Sequence, residues 1–97
     1  MEQNFAVAPG TILKEYMDSR NITQKELSSM TNSSERHISN LINAKVKLTE
    51  EFALKLETVF DDINAEFWID LKSTYKLFNL RNEETERRKH NGKNRIR

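Results

Sequence analysis

The sequence predicts an all-α domain of five helices. Apolar residues recur at helical spacing along most of the chain, and no run alternates apolar and polar residues as a strand does. The single Pro and both Gly lie outside the middle of the chain. With 97 residues, 36% of them apolar, the chain has room for one small domain. The apolar positions end near residue 80, so we expect an N-terminal arm at 1–8, a folded domain at 9–80 and a disordered, flexible basic tail at 81–97.

The first two helices are marked by their N-terminal residues. Pro9 suits the first turn of a helix, and the apolar stripe that follows it continues to about Arg20. Thr23 and Glu26 have the spacing of a capping box, which predicts a second, short helix that ends near Met30. The stripe of the first helix consists of Ile12, Leu13, Tyr16 and Met17.

A polar turn at 31–33 separates the second helix from the third. Asn32 tolerates the left-handed backbone conformation that so tight a turn requires. Ser34 is the predicted N-cap of the third helix, and residues 43–45 end it. The apolar positions of this helix come late, at Ile38, Leu41 and Ile42.

Two further helices complete the domain. Thr49 caps the fourth, and Glu50 and Glu51 lie in its first turn, where carboxylates stabilise the positive end of the helix dipole. The fifth helix is predicted at about 65–79, after a connection at 61–64. From residue 81 onward the only apolar side chain is that of Ile96, so little surface could be buried to offset the entropy of ordering the tail.

Composition argues against catalytic and metal-binding functions. The absence of Cys removes disulfides, thiol catalysis and thiolate metal sites, and two His do not suffice for a zinc site. No glycine-rich loop or supported nucleophile arrangement is present, and Asp61 and Asp62 have no third ligand nearby. We therefore expect no enzyme, no metal and no cofactor. With no apolar run of the ~18–20 residues that cross a membrane, and no signal peptide, a cytoplasmic location without membrane attachment is expected.

The second and third helices match the helix-turn-helix arrangement, in which the second helix of the pair enters the major groove of DNA. Arg pairs with guanine, Asn with adenine, and Glu accepts a hydrogen bond from cytosine. The candidate base contacts are Glu35, Arg36, Ser39 and Asn40. The candidate phosphate contacts are Gln24, Ser34, Asn43 and Lys45. A plain five-helix bundle with a solvated polar face is the alternative, and His37 is either a further phosphate contact or an exposed side chain without a role.

The net charge of +1 conceals an uneven distribution. Residues 1–80 carry 9 basic and 12 acidic side chains, a net charge of −3, whereas residues 81–97 carry 7 basic and 3 acidic ones, a net charge of +4. Within the domain, the segment 20–47 carries 5 basic and 2 acidic side chains. Because a nucleic-acid footprint is a property of a patch, this local excess of +3 favours DNA binding more than the total does.

Three blocks of sequence resemble a known family. The stretch TQKELSSMTNSSERHISNLINAK at 23–45 resembles the helix-turn-helix of phage-repressor-like (Cro, XRE) regulators. PGTILKEYM from Pro9 and AEFWIDLKSTYKLF from Ala65 resemble the opening and the last helix of HigA-type antitoxins. The resemblance covers about residues 8–80. It implies a lambda-repressor-like fold and a homodimer that binds double-stranded, palindromic operator DNA.

The same resemblance implies a protein partner. HigA-type antitoxins bind and neutralise a cognate HigB toxin, an mRNA endonuclease of the RelE-like class, and repress their own operon. No motif identifies the toxin-binding surface. Five residues of the motif differ from the family pattern: Ser28 replaces Ala, Thr31 replaces Leu, Asn32 replaces Gly, Ser33 replaces Val and Ala44 replaces Gly.

The fifth helix carries more apolar surface than a domain of fewer than 80 residues readily hides. We therefore expect a homodimer whose interface includes this helix or the segment leading into it, with Trp68 as the anchor, since large buried aromatics dominate interfaces. The alternative is that Trp68 caps the core of its own domain. The candidate interface residues are Phe67, Trp68, Leu71, Tyr75 and Phe78.

Two other functions fit the same residues. One is a stand-alone or phage-derived transcriptional regulator with no toxin partner, and the other is an interaction module whose helix-turn-helix no longer binds DNA. The basic tail has three interpretations: a solvated end, a nonspecific phosphate anchor, or a segment that the toxin orders.

Overall fold

The computed structural model describes the backbone of residues 7–95 and the side chains of residues 7–85. That part of the chain contains five helices and no strand, which confirms the predicted fold class. Only residues 7 and 8 of the predicted N-terminal arm lie within it. The helices are α1 (Pro9–Ser19), α2 (Gln24–Met30), α3 (Glu35–Ile42), α4 (Glu50–Val59) and α5 (Ala65–Arg95).

Side-chain caps start the three helices for which the sequence predicts them, and Asn64 also caps α5, where its Oδ1 accepts from the Phe67 N–H at 3.0 Å. Thr23 forms the complete capping box of α2: its hydroxyl accepts from the Glu26 N–H at 3.0 Å, and its own N–H donates to the Glu26 carboxylate at 2.8 Å. The hydroxyls of Ser34 and Thr49 accept in the same way at the starts of α3 and α4. These bonds satisfy N–H groups that a helix leaves without a partner in its first turn.

The first three helices end in the same turn. A residue in the left-handed region follows each helix, and two backbone N–H groups donate back to carbonyls of the last turn, as in a Schellman motif. After α3, the N–H of Lys45 donates to the carbonyl of Asn40 at 2.8 Å, and that of Ala44 donates to Leu41 at 3.1 Å. The left-handed residues are Asn21 (φ 58°), Asn32 (φ 55°) and Ala44 (φ 59°). The left-handed conformation predicted for Asn32 is thus confirmed.

The core centres on Trp68, whose side chain has an exposed fraction of 0%. Edge-to-face contacts join its ring to Tyr16 and Phe67, at centroid distances of 5.8 and 5.2 Å, and Phe60 packs against it at 6.0 Å. Among the described residues, none accepts a hydrogen bond from its indole Nε1. A ring with no exposed surface cannot contact a second chain. Trp68 is therefore removed from the predicted dimer interface and instead fills the core of its own domain.

An ion pair closes the end of α1 against the loop before α5. The guanidinium of Arg20 donates to both carboxylate oxygens of Asp62, at 2.9 and 2.8 Å, and also stacks over the rings of Tyr16 and Phe60. Their hydrogen bond is the main cause of a lowered pKa at Asp62 and a raised pKa at Arg20. This pair lies at the surface, so its main effect is to set the geometry of the loop.

The last helix is longer than the sequence predicts. Its predicted end is near residue 79, followed by a flexible tail, whereas α5 continues to Arg95. Residues 81–91 are rich in Arg, Glu and Lys, which favour helices, and they contain no Pro. Extending an existing helix adds one hydrogen bond per residue without a new nucleation step. The prediction considered only the lack of apolar surface in this segment, which decides packing but not local helix formation.

Gly10 allows α1 to lie directly against the end of α3. A Cβ atom at this position would overlap the carbonyl oxygen of Leu41 and come within 2.9 Å of the Cα of Ile42. Both obstacles are backbone atoms of α3, so no side-chain rotation could relieve them. The position of α3 in the fold therefore depends on the absence of a side chain at residue 10.

We predict that Gly10→Ala lowers the free energy of unfolding by about 3 kcal/mol, the upper end of the usual cost of overpacking, because backbone atoms would have to separate. Urea denaturation followed by circular dichroism measures the change. Thr11→Ala is the matched control, since Thr11 is exposed on the same turn, and its effect should stay within about 0.5 kcal/mol. Equal stability of the two variants would show that α1 and α3 are not in this close contact.

Candidate nucleic-acid interface

The outer face of α3 carries four polar residues at the spacing i, i+3, i+4, i+7. This spacing places side chains on one side of a helix. Ile38 and Leu41 on the opposite side are buried, with exposed fractions of 0% and 3%. The core therefore fixes which side of α3 faces outward. The outward residues are Arg36, Ser39, Asn40 and Asn43.

Three of the four predicted base contacts lie on this outer face. Arg36 is exposed and makes no hydrogen bond or ion pair within the part of the chain that the structure describes, while Ser39 and Asn40 are half-buried one turn later. Glu35, the fourth, is exposed in the first turn but lies to one side of the face. Its carboxylate favours the helix N-terminus and would repel a phosphate passing there.

The predicted phosphate contacts differ in whether their side chains already take part in hydrogen bonds within the domain. Ser34 accepts a hydrogen bond as the N-cap of α3, which leaves its hydroxyl hydrogen to donate. Lys45 is exposed just after α3, and Gln24 is half-buried at the start of α2. Asn43 differs from these, because its side-chain Nδ2 donates to the carbonyl of Ser39 at 3.0 Å. The structure thus places the amide of Asn43 at the end of α3 as a helix-terminating group.

Fewer cations are available in the segment 20–47 than its sequence indicates. Arg20 belongs to the segment with the local excess of +3, but its charge is paired with Asp62 at 2.8 Å, at the far end of α1. The remaining cations of the segment are exposed in α2, in α3 and in the loop after α3: Lys25, Arg36, Lys45 and Lys47. The positive charge that this segment offers to a polyanion therefore lies on the helix-turn-helix and the loop that follows it.

Sequence reasoning missed the residues that hold α3 in place. Gly10 is the clearest case, and a glycine within a predicted helix was the available signal, since it costs about 1 kcal/mol relative to Ala unless packing requires it. The ring of His37 meets Phe52 of α4 edge to face at 5.5 Å, so this half-buried histidine braces α3. Thr31 is buried between α2 and α3, where its hydroxyl donates to the carbonyl of Leu27 at 2.8 Å.

Two further features are absent from the described residues: a metal-binding cluster and a membrane-spanning helix. No group of three or more His, Cys, Asp or Glu side chains among them is arranged to hold a metal ion. Within the same part of the chain, no helix combines the length and apolarity needed to cross a membrane.

Comparison with known proteins points to one family. The family model described as Helix-turn-helix matches residues 13–68 of this chain. Among curated proteins, the chain is 35% identical over 75 residues to the uncharacterized HTH-type transcriptional regulator YbaQ of Escherichia coli K12. That match covers 76% of this chain and 66% of the relative, so just under two thirds of the relative's length is represented.

Two solved structures from Pseudomonas aeruginosa share the fold. One is the antitoxin HigA with the higBA promoter, with a TM-score of 0.77, 24% identity, and coverage of 87% of this chain and 91% of that one. The other is PA4674 in complex with its operator DNA, with a TM-score of 0.80, 22% identity, and coverage of 92% and 94%. At these identities the likeness establishes the fold alone.

We predict that Ala44→Gly raises the free energy of unfolding by about 1 kcal/mol. The left-handed conformation costs a residue with a Cβ roughly 1–2 kcal/mol, and the greater flexibility of Gly in the unfolded chain offsets part of that gain. Thermal and urea unfolding measure the change. Asn32→Gly is the control and should gain less, because Asn tolerates this conformation. A loss of stability in Ala44→Gly would show that the turn after α3 is not left-handed.

Proposed function

The chain belongs to the helix-turn-helix family, and from that membership we propose that it is a sequence-specific DNA-binding transcription regulator that also acts as an antitoxin. In this proposal a homodimer binds operator DNA, represses its own operon and neutralises a HigB-like toxin of the RelE-like class. The observation that carries the DNA-binding part is the outer face of α3, where Arg36 is exposed and unpaired in the described part of the chain.

Arg36 is the proposed main base contact. It lies in the first turn of α3, where side chains of a recognition helix reach base edges in the major groove. A guanidinium without an internal partner is free to donate two hydrogen bonds to O6 and N7 of guanine. Ser39 and Asn40 lie on the same face within the next turn, so the three side chains would contact successive base pairs.

The phosphate contacts are proposed on both sides of that face. The hydroxyl of Ser34 lies at the N-terminus of α3, and Lys45 lies beyond its C-terminus. Gln24 is half-buried in the first turn of α2, where its side-chain amide would donate to a phosphate oxygen. These contacts would hold the domain on the backbone of the duplex while α3 enters the groove.

The dimer is proposed to form through α5. With Trp68 in the core, the predicted interface residues that remain are all half-buried: Phe67, Leu71, Tyr75 and Phe78. Leu77 on the same helix is 48% exposed. Two copies joined here would bury this surface and present two α3 helices to a palindromic site, about 34 Å apart.

Two likenesses support the antitoxin assignment. It rests on the resemblance of the sequence at both ends of the domain to HigA-type antitoxins and on a fold shared with antitoxin HigA of P. aeruginosa. A stand-alone regulator without a toxin is the second candidate, favoured by the curated relative, which is described as a transcriptional regulator.

Arg36→Ala is expected to weaken operator binding by about 1–3 kcal/mol and to relax the preference at one base pair. Fluorescence anisotropy on operator and random duplexes measures both effects. Lys45→Ala is the contrast: it should weaken binding to both duplexes and reduce the slope of log K against log [salt] by about one unit. Equal loss on both duplexes for Arg36→Ala would make Arg36 a phosphate contact.

Phe78→Lys is expected to convert the dimer into a folded monomer, because a charge would have to be buried in the proposed interface. Phe78 lies late in α5, after the last residue of this helix that packs against the core, so the substitution should leave the domain folded. Sedimentation velocity with circular dichroism measures both properties. Leu54→Lys is the matched control, since Leu54 is 57% exposed on α4 and should remain dimeric after substitution. A folded dimer of Phe78→Lys would remove α5 from the interface.

The antitoxin function is tested by co-expression. We expect the open reading frame next to this gene to arrest growth when expressed alone and to be harmless when expressed with this chain. Arg36→Ala should still restore growth while failing to repress the operon promoter, because toxin and DNA would bind different surfaces. Growth unaffected by every neighbouring reading frame would leave the stand-alone regulator as the function.

A further inference from the structure

A groove runs between the start of α1, the loop after α3 and the middle of α5. Its volume is about 560 Å³. Apolar side chains line most of it, among them Pro9, Leu13, Val46, Leu48, Tyr75 and Leu80. Val46 and Leu80 are 38% and 48% exposed, so apolar surface lies open to solvent on both walls. We call it the α1–α5 groove.

The rim of the α1–α5 groove is basic. Lys47, Lys72 and Lys76 border it, against the single carboxylate of Glu83. Lys72 lies 3.7 Å from Glu50, which is a weak, solvent-exposed pair. An occupant that matches both features combines an apolar side chain for the floor with a negative charge for the rim. A symmetric contact between two copies of the groove would instead bring the two lysine rims together, which like charges disfavour.

The segment that precedes α1 has this chemistry. Residues 1–6 read MEQNFA, in which Phe5 is the only aromatic side chain and Glu2 the only charged one. They lie outside the described residues, but Ala8 and Pro9, which follow them closely, line the groove. Phe5 precedes Ala8 by three positions, and an extended chain over three residue steps spans about 10 Å. Phe5 therefore remains within reach of the floor.

We propose that residues 1–6 fold back into the α1–α5 groove, with Phe5 on the apolar floor and Glu2 against the lysine rim. Because the segment is attached at the groove itself, its local concentration exceeds that of any free ligand. The docked segment would connect the start of α1 with α5, one residue away from the contact of Gly10 with α3. It would stabilise the helix against which α3 packs and leave the outer face of α3 uncovered.

Engineered cysteines test this placement in the full chain, which has no native Cys. The groove pair is Ala6→Cys with Leu80→Cys, and the off-groove pair is Ala6→Cys with Glu15→Cys, since Glu15 is exposed on α1 and does not border the groove. Under dilute, mild oxidation the groove pair should close within one chain at least about tenfold faster than the off-groove pair. Adding Phe5→Ala should abolish that advantage. Equal rates, or a disulfide that joins two chains, would overturn the proposal.

Methyl NMR of the uncrosslinked chain provides an independent measurement. A docked Phe5 ring shifts the methyl resonances of Val46 and Leu80, so Phe5→Ala should move both. Leu54 is the internal control, because its exposed methyl groups lie on α4 and away from the groove. If the Val46 and Leu80 signals move no more than those of Leu54, the groove does not hold Phe5. Operator binding by Phe5→Ala is expected to persist, so this outcome is separate from the proposed function.

Discussion

The contact between α1 and α3 is the constraint on which the rest of the structure depends. Gly10 leaves room for the backbone of α3 at Leu41 and Ile42, and any side chain there would meet backbone atoms. With α3 held in this position, Ile38 and Leu41 turn into the core and the polar side turns outward. The proposed DNA contacts therefore depend on a residue that would touch no DNA.

Backbone hydrogen bonds fix the helix ends in the helix-turn-helix, while its buried side chains pack in the core. Each of the first three helices ends in a left-handed turn with two N–H groups bonded back to the helix, and α2 and α3 then begin with a side-chain cap. Two residues that differ from the family pattern also form hydrogen bonds to the backbone. The hydroxyls of Thr31 and Ser28 bond to backbone carbonyls, so neither is left unsatisfied on burial. Ala44 is the departure that carries backbone strain.

The aromatic core and the proposed DNA contacts occupy different parts of the molecule. The rings of Tyr16, Phe60 and Phe67 surround Trp68 on one side of the domain, with Arg20 and Asp62 closing the end of α1 there. The cations of the segment 20–47 other than Arg20 are exposed on the helix-turn-helix and in the loop after it. The long α5 connects these regions, since it supplies Trp68 to the core and continues past the domain with apolar residues exposed. Its exposed surface is what remains for partners.

The sequence alone determined the features that depend on near neighbours in the chain. Caps at Thr23, Ser34 and Thr49 set the helix starts, and the apolar spacing of α3 set which polar residues face outward. Only the tertiary structure decided the rest: that Trp68 is buried and that Arg20 pairs with a carboxylate 42 residues away. Capping and periodicity act within a few residues, whereas burial and ion pairing depend on which distant segments the fold brings together.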